Sequence, residues 1–387
     1  MPLDPRTPVL VGAAAIDAAS ADLADPVLPT DLMVAAARAT AGNHPELLHR
    51  VGWVAVPEGS TPLGDPGRAV ADQLGVAART SLVHIGVTQH APIGLALERI
   101  RSGQLDAALV VGGETRASRG RWTKLGHEFP ESAPGVPDEP LLSTGELMAQ
   151  PEIDAGMWSA VEHYACIESA LVHAEGRSVD EGLDDVAQLW ARFESVAASN
   201  PQAAFPGTRG VSGLRSAGPD NRRLAFPYAK WHSTQWTVDQ AAALLLCSVA
   251  TARACGVPDD DWVFPRVALD CSFGCSLSRR RDVHRWPAMQ VLGRAAASHL
   301  QREPSDWDVI EAYSCFPAAV RVQQRELGLD PAGTPTVMGG MAFAGGPFNN
   351  FTYQATAAVV DALRASSASE PLGAVTTVSG LLTRGAL

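Results

Sequence analysis

Two stretches of this chain show the same order of predicted strands and helices, and this duplication constrains the fold more than any single motif. The first stretch is predicted to contain the elements 8–13, 30–41, 51–56, 67–74, 81–85, 91–101 and 107–112. The second is predicted to contain the elements 266–271, 286–299, 307–312, 316–327, 334–338, 349–364 and 374–379. Both have a glycine-bearing loop before their last helix. A repeat of this length that occurs only twice indicates two fused βα halves that share one core, not a solenoid.

A long segment of different composition separates the two stretches. Residues from about 115 to 236 contain a proline-rich run, EFPESAPGVPDEP, and two predicted helices, 156–174 and 182–199. A segment of this length inside a compact domain is typical of a lid or a binding excursion. We therefore expect an N-terminal half, 1–262, which includes this insertion, and a C-terminal half, 263–387.

Apolar runs that alternate with the helices indicate an α/β core. The runs PVLVGAA, AALVVGG and RVALDCS are short and bounded by Gly, Asp or Pro, which predicts buried parallel strands with helices on both faces. A strand at 241–248 and a helix at 249–255 would complete the first half. The second half has only LLTRGAL at the corresponding place, so its last strand is expected to be short or replaced.

The composition excludes several classes of function. With 46% hydrophobic and 19% charged residues, the chain resembles an ordinary globular protein. A formal net charge of −12 argues against a general nucleic-acid-binding protein, which needs a basic face. No apolar run approaches the length of a membrane span, and the N-terminus has no secretion signal. Six cysteines without such a signal indicate reduced thiols, so we expect a cytoplasmic protein that does not contact membranes.

Several segments, in the right order, resemble the thiolase superfamily. RIRSGQLDAALVVGGE is similar to the helix and strand that follow the thiolase nucleophile. IEAYSCFPAAVRVQQRELGL and GGMAFAGGPFNNF are similar to segments of bacterial thiolase-like proteins related to sterol-carrier-protein thiolases, commonly called acetyl-CoA acetyltransferases. The resemblance implies the α/β thiolase fold, in which two βαβαβαββ halves form a layered α/β/α/β/α core. It also implies an acyl-CoA thioester as substrate, no covalently bound cofactor, and a role in bacterial lipid metabolism.

The cysteines on which thiolase chemistry depends have no counterpart here. The family's nucleophilic cysteine corresponds to Gly86, and the first 165 residues contain no cysteine. The family's histidine corresponds to Gly346 in the GGP segment, and its second catalytic thiol corresponds to Val378. The resemblance therefore implies that this chain is not a Cys-dependent thiolase.

Other groups remain that fit proton-transfer chemistry. Tyr313 occupies a polar position of the family and is a candidate proton donor, because an ordinary pKa of about 10 makes tyrosine a better acid than base. His90, at the start of the central helix, is a second candidate. The loop that contains Gly346 would present N–H groups to an oxyanion ahead of a helix. Candidate contacts to the substrate are Gly86, Gly345, Asn349, His232 and Cys315.

Structural roles stay open for every one of these residues. Tyr313 also fits a core tyrosine, His90 a helix cap, Cys315 a buried small residue, and the glycines tight turns. The pair Cys271 and Cys275 has no second ligand pair, so no metal site is expected. One or two cations of the insertion are expected to bind the phosphates of coenzyme A. The candidates are Arg116, Arg119, Arg121, Lys124, Arg209, Arg215, Arg222, Arg223 and Lys230.

Three functions remain open at this stage. The first is an enzyme of the acyltransferase superfamily that acts at the C–C bond next to a CoA thioester without an acyl-cysteine, or else an acyltransferase with an unidentified nucleophile, for which Cys315 is the first candidate. The second is a retro-aldolase on a β-hydroxyacyl-CoA, as the resemblance to a steroid side-chain aldolase implies. Such aldolases work with an OB-fold partner that carries zinc. The third is a non-catalytic CoA-ester-binding subunit or scaffold. We expect a homodimer, with the OB-fold protein as a further partner.

Overall fold

The computed structural model describes residues 3–18, 26–129, 133–272 and 274–387. Through the insertion, the elements are β1 (Pro8–Asp17), α1 (Pro29–Ala41), β2 (Val51–Pro57), α2 (Pro66–Leu74), β3 (Arg79–Val83), α3 (Ala91–Arg101), β4 (Ala107–Thr115), α4 (Arg116–Lys124), α5 (Gln150–Asp154), α6 (Ala160–Ala174), α7 (Val179–Ser199) and α8 (Gly210–Arg215). They continue with β5 (Asp239–Ser248), α9 (Val249–Ala254), β6 (Asp270–Ser272), α10 (Pro287–Leu300), β7 (Val309–Glu311), α11 (Pro317–Leu327), α12 (Phe351–Ala365), β8 (Gly373–Val375), β9 (Thr377–Ser379) and β10 (Arg384–Ala386).

The chain forms two compact units. The first contains Met1–Ser143, Trp236–Ala268 and Pro347–Ser366, and the second contains Thr144–Gln235, Leu269–Gly346 and Ser367–Leu387. The part of the insertion that contains α5 to α8 therefore belongs to the second unit, whereas α4 belongs to the first. The expected halves 1–262 and 263–387 describe a duplicated topology, and as domain boundaries they stay a prediction.

The first unit is built on one five-stranded sheet in the order β1-β5-β4-β2-β3. All nine residues of β4 are buried, and their side chains alternate between the two faces. Leu109 and Val111 pack with the apolar faces of α1, α2 and α9, whereas Ala108 and Val110 pack with α3 and α12. Helices therefore cover both faces of this sheet, as the apolar runs predicted.

The strand directions in the first unit differ partly from the prediction. The β2 strand is parallel to both β3 and β4, but β5 is antiparallel to both of its neighbours, β1 and β4. The prediction of a parallel strand for PVLVGAA is wrong, because β1 pairs only with β5. The chain returns from the insertion at the end of the sheet where β4 finishes, because Asp239 at the start of β5 lies opposite Thr115. The β5 strand therefore runs between β1 and β4 in the reverse direction.

The second unit repeats the strand order of the first in shorter pieces. The order β6-β10-β9 is antiparallel throughout, and β8, which precedes β9 in the chain, is parallel to β7. The prediction of a parallel strand for RVALDCS is therefore also wrong. The predicted strand 374–379 is interrupted at Thr376, between β8 and β9. The final strand, β10, is three residues long, which confirms the expected short terminus.

One predicted strand is absent. Residues 334–338 form no strand, although Ala312 N donates to Pro335 O at 2.9 Å, as it would at the start of a ladder. The ladder stops there because the carboxylate of Glu311 takes the next two amides, Val337 N at 2.7 Å and Met338 N at 3.0 Å. A side chain thus replaces the neighbouring strand as the hydrogen-bond acceptor.

The observed limits of the helices lie close to those predicted from the sequence. The central helix α3 has the predicted limits, while α6 begins four residues later than predicted, at Ala160. Within the described parts of the chain, no helix is both long and apolar enough to span a membrane.

Candidate active site

Tyr313 follows β7, and both its backbone N–H and its backbone carbonyl are hydrogen-bonded to side chains. Its N–H donates to Thr376 Oγ1 at 2.9 Å, and its carbonyl accepts from Gln323 Nε2 at 2.8 Å. Gln323 is fully buried on α11, and its Oε1 accepts from the Thr376 hydroxyl, so the two clamping side chains are joined. The phenol itself is 8% exposed. The second unit therefore fixes the direction in which the Tyr313 side chain leaves the sheet.

A second tyrosine, which the sequence analysis did not identify, lies beside this residue. Tyr164 on α6 is 1% exposed, and its ring stacks on Phe316 with centroids 4.7 Å apart. Among the described residues, no nitrogen or oxygen atom makes a hydrogen bond with its hydroxyl. Burial raises the pKa of Tyr164 well above its ordinary value, and the neighbouring Cys315 and Tyr313 raise it further. Tyr164 is therefore a neutral hydrogen-bond donor at neutral pH.

Cys315 lies beside Tyr164, and its surroundings make it a poor nucleophile. Burial raises the pKa of its thiol to about 12. Its carbonyl accepts from Thr234 N at 3.1 Å, and its side chain is only partly exposed. Because the thiolate is the reactive form, the fraction available at neutral pH is negligible.

The GGP loop has no room for the family's histidine. A Cβ at Gly346 would lie 2.3 Å from Cγ2 of Thr234 and 3.2 Å from Cβ of Met341. The N–H of Gly346 donates to Gln235 O at 3.0 Å. This amide is therefore already bonded to a carbonyl, and the binding of an oxyanion by other N–H groups of the loop stays a prediction. Gly345 has φ +99°, a left-handed conformation that favours glycine.

In the first unit, the turn before α3 lies against the start of α12. Gln89 is buried, its Oε1 accepts from Thr352 N at 2.9 Å, and its Nε2 donates to Asn349 Oδ1 at 3.2 Å. Gln89 thus caps α12, a contact that the sequence analysis missed because capping from a distant loop leaves no local pattern. The helix begins at Phe351, two residues later than predicted.

His90 and Gly86 also lie in this turn. Gly86 has φ +96°, so the family's cysteine position holds a residue with a left-handed backbone. His90 precedes α3 and is partly exposed, and the surrounding protein lowers its pKa to about 4 by desolvation. At neutral pH its imidazole is neutral, and it accepts a proton less readily than an ordinary histidine does.

His232 is an internal residue of the second unit. It is 1% exposed, its Nδ1 accepts from Ala229 N at 3.1 Å, and its ring lies edge-on to Tyr228. Burial lowers its pKa to about 4. These contacts close a short turn. The expected contact between His232 and the substrate stays a prediction.

Several of the candidate phosphate-binding cations already contact other residues of this chain. Arg121 pairs with Asp239 at 2.9 Å, Arg209 with Glu194 at 2.8 Å, and Arg215 with Asp184 at 2.5 Å. Arg116 lies over the ring of Trp236, Arg119 donates to Ser60 O, Arg223 donates to Pro227 O, and Lys230 lies over Trp231. Lys124 and Arg222 are exposed and have no ion pair within the described ranges.

The structure groups the predicted residues by unit. Tyr313 and Cys315 lie together in the second unit with the newly identified Tyr164. Gly345, Gly346 and His232 also belong to the second unit, whereas Gly86, His90 and Asn349 belong to the first. In the described residues, no group of three or more His, Cys, Asp or Glu side chains is arranged to hold a metal ion.

Comparison with known proteins finds similarity at the level of structure. No protein-family model matches the chain, and no curated protein sequence matches it. A monomeric SCP2-thiolase-like protein type 1 from Mycobacterium smegmatis is 26% identical with a TM-score of 0.81, covering 100% of this chain and 77% of that one. The Ltp2–ChsH2(DUF35) aldolase is 16% identical with a TM-score of 0.72, covering 99% and 97%. The dimeric peroxisomal thiolase of Saccharomyces cerevisiae is 15% identical with a TM-score of 0.67, covering 100% and 97%.

Proposed function

The chain belongs to the thiolase-fold superfamily, with the layered α/β fold that the sequence predicted, and from this premise we propose that it acts on the C–C bond next to a coenzyme A thioester without forming an acyl-cysteine. The observation that carries the proposal is the state of its thiols. The position expected for the nucleophile is Gly86, and the thiol beside Tyr313, Cys315, has a pKa of about 12. Acyl transfer through Cys315 is therefore disfavoured.

Two tyrosines supply what C–C bond chemistry at a thioester needs. Breaking the bond leaves an enolate, whose negative charge develops on the thioester oxygen. Neutral hydroxyl donors that are held in place stabilise such a charge without reorganising. Tyr313 is fixed through its backbone, and Tyr164 is fixed by stacking on Phe316, so both are suited to this role.

Retro-aldol cleavage of a β-hydroxyacyl-CoA is the reaction that these groups fit best. The β-hydroxyl loses its proton, its oxygen becomes a carbonyl, and the bond between the α and β carbons breaks. The electron pair passes to the enolate, which takes up a proton at the α carbon. The reaction consumes no oxidant and needs no covalent intermediate. These requirements agree with a site that contains two tyrosine hydroxyl donors and a thiol that is protonated at neutral pH. A solved structure with the same fold is itself an aldolase.

Coenzyme A and a protein partner are part of this proposal. Lys124 and Arg222 are the candidates for phosphate contacts, because each is exposed without an ion pair in the part of the chain that the structure describes. The aldolase with the same fold contains a DUF35 protein, and the yeast thiolase is dimeric. These relatives support an acyl-CoA enzyme that works with a partner, and they leave its identity, a second copy or a zinc-carrying OB-fold protein, to experiment.

Cleavage assays with Tyr313→Phe test the proposal. The chain, alone and with any co-encoded OB-fold protein, is incubated with β-hydroxyacyl-CoA substrates of differing length, and the shortened acyl-CoA and the released carbonyl compound are measured. We expect both products in equal amounts from the wild type, and a rate lowered about 100-fold or more in Tyr313→Phe. Binding of acyl-CoA without any cleavage would support the non-catalytic alternative. An acylated cysteine would support the acyltransferase.

A further inference from the structure

A third tyrosine of the second unit joins the two helices next to the candidate tyrosines. The hydroxyl of Tyr228 donates to Oε2 of Glu168 on α6 at 2.7 Å, and it accepts from N of Ala318 in the first turn of α11 at 3.2 Å. Glu168 lies about one helical turn after Tyr164, so the two side chains leave α6 on the same face. The α11 helix begins shortly after Tyr313. One hydroxyl therefore links the segments that carry both candidate donors.

The ring of Tyr228 belongs to the aromatic stack that contains Tyr164. Phe316, the residue before α11, stacks with Tyr228 at a centroid distance of 5.5 Å and an interplanar angle of 24°. The same ring stacks with Tyr164 at 4.7 Å and 20°. Because the three rings are buried and nearly parallel, a change in the tilt of Phe316 changes the space that is left for the ring of Tyr164.

Tyr228 is itself fixed in place. Its carbonyl accepts from Leu224 N at 3.0 Å, its N–H donates to Ala225 O at 2.6 Å, and its side chain is fully buried. Burial raises the pKa of its phenol well above the ordinary value, and the adjacent Glu168 raises it further. Tyr228 is therefore a neutral donor whose hydroxyl bonds are made within the protein, whereas the hydroxyl of Tyr164 bonds to no nitrogen or oxygen atom of the described residues.

An ion pair holds the carboxylate that Tyr228 contacts. Arg321 on α11 pairs with Glu168 on α6 and with Glu175 just after that helix. The bond from Tyr228 to Glu168 has a charged acceptor, which makes it stronger than a bond between neutral groups. Without the Tyr228 hydroxyl, the buried N–H of Ala318 and one oxygen of Glu168 would each lose a partner. The contact between α6 and α11 would then loosen at Phe316.

We propose that Tyr228 is a positioning residue of the proposed active site: its hydroxyl joins α6 to α11, and its ring holds Phe316 and thereby the orientation of Tyr164 relative to Tyr313. This role rests on the proposed function, in which both tyrosine hydroxyls donate to the thioester oxygen of one enolate. Two donors stabilise one developing charge only if both already point at it. Small errors in the placement of such groups lower the rate of the chemical step.

The first test follows the ring of Tyr164 by fluorine NMR, without any substrate. The chain has four tyrosines, so each signal of protein labelled with 3-fluorotyrosine is assigned from the matching Tyr→Phe variant. Tyr228→Phe keeps the stacked ring and removes the hydroxyl. The control, Arg325→Gln, removes a different ion pair between α11 and the end of α6, the one with Glu175 at 2.7 Å.

In Tyr228→Phe, the Tyr164 signal is expected to shift or to split, because the ring gains orientations that the wild type excludes. The signal of Tyr353 in the first unit should stay in place. In Arg325→Gln, the Tyr164 signal should keep its wild-type position. A Tyr164 signal that Tyr228→Phe leaves unmoved would overturn the proposal.

The second test measures steady-state cleavage of a β-hydroxyacyl-CoA. Tyr228→Phe is expected to lower kcat about 10-fold and to leave KM within about twofold, and Arg325→Gln should leave both within about twofold. In the Tyr164→Phe background, Tyr228→Phe should lower kcat by no more than about a further twofold, because its effect passes through Tyr164. Multiplicative losses in this cycle would also overturn the proposal.

The two tests separate this role from the proposed function. A wild type that cleaves no β-hydroxyacyl-CoA would contradict the proposed function, while the NMR signals would still decide whether Tyr228 orients Tyr164. If Tyr228→Phe does not fold, Glu168→Gln replaces it with the same expected outcomes. That variant keeps the side-chain volume and removes the charge that strengthens the bond from Tyr228.

Discussion

The first unit of this protein has one continuous five-stranded sheet, whereas the second unit has a three-stranded and a two-stranded sheet. In the first unit β4 and β5 are nine and ten residues long and buried throughout. In the second unit β7, β8, β9 and β10 are three residues each. Apolar clusters pack on both faces of the sheet in the first unit. In the second unit three buried polar residues lie at or beside the short strands: Glu311 at the end of β7, Gln323 on α11 and Thr376 between β8 and β9.

This difference separates two roles within the duplicated fold. The long buried strands of the first unit supply stability, and the short strands of the second unit position the candidate catalytic tyrosine. In the second unit, side chains make hydrogen bonds that the backbone of a longer strand ladder would otherwise make. Thr376 interrupts its strand and accepts from Tyr313 N, while Glu311 accepts from the amides of Val337 and Met338. The shortened ladder thus holds the candidate tyrosine in place. Buried polar networks of this kind fix one geometry when every member is satisfied.

The largest expected effect concerns two buried tyrosine hydroxyls, one in each unit, that bond to no nitrogen or oxygen atom of the described residues. Tyr164 of the second unit adjoins Cys315 and Tyr313, whereas burial alone raises the pKa of Tyr353 on α12. Tyr164→Phe should lower the cleavage rate about 100-fold, because an oxyanion donor is lost, while Tyr353→Phe should leave it within about twofold.

The same pair of variants separates catalysis from structure. Removing a buried hydroxyl that has no partner is neutral or slightly stabilising, so both variants should unfold at the wild-type urea concentration or above it. A Tyr164→Phe protein that loses activity and stability together would show a structural role. Equal rates in the two variants would remove Tyr164 from the proposed site.

The next effect is a dependence of stability on pH that originates at Glu311, the last residue of β7. Burial raises the pKa of Glu311 from its ordinary 4.5 to about 7. Between these values the folded protein retains a proton that the unfolded chain has released, so the contribution of Glu311 to stability is greatest below pH 4.5 and falls as the pH rises to 7. The fall should be up to about 3 kcal/mol. Glu311→Gln, which cannot ionise, should lack this component in urea titrations at several pH values. Parallel curves for the two proteins would contradict the assignment.

A smaller effect concerns the GGP loop. Gly346→Ala places a methyl group against Cγ2 of Thr234 and should cost about 1–3 kcal/mol of unfolding free energy. Thr234→Ser removes that methyl group and keeps the hydroxyl that donates to Cys315 O. In the Thr234→Ser background, Gly346→Ala should therefore cost less than half as much. Additive losses in the double-mutant cycle would mean that another contact excludes the side chain.

The sequence predicts this architecture best where one physical signal dominates. Helical periodicity gives α3 its observed limits, and uninterrupted apolar runs locate the strands of the first sheet. The reversed direction of β5 does not follow from a local pattern, since it depends on where the chain returns from the insertion. The strand expected at 334–338 is absent because a carboxylate far along the chain, Glu311, takes its amides.

The candidate site is predicted less completely. Tyr313 and Cys315 follow from the resemblance of one segment, and the structure places them side by side with Tyr164. Tyr164 lies in a helix of the insertion, where an aromatic residue has the pattern of any core position. Only the stacking on Phe316 and the hydroxyl without a described partner distinguish it.

The intact mass of the protein during turnover tests most directly whether the C–C bond is broken without an acyl-cysteine. The chain is mixed with a β-hydroxyacyl-CoA, quenched in acid while the carbonyl product accumulates, and weighed by mass spectrometry. We predict the mass of the unmodified chain at every time point while the product increases. An acyl adduct that forms and decays at the rate of turnover, and that maps to Cys315 or any other cysteine, would contradict the account.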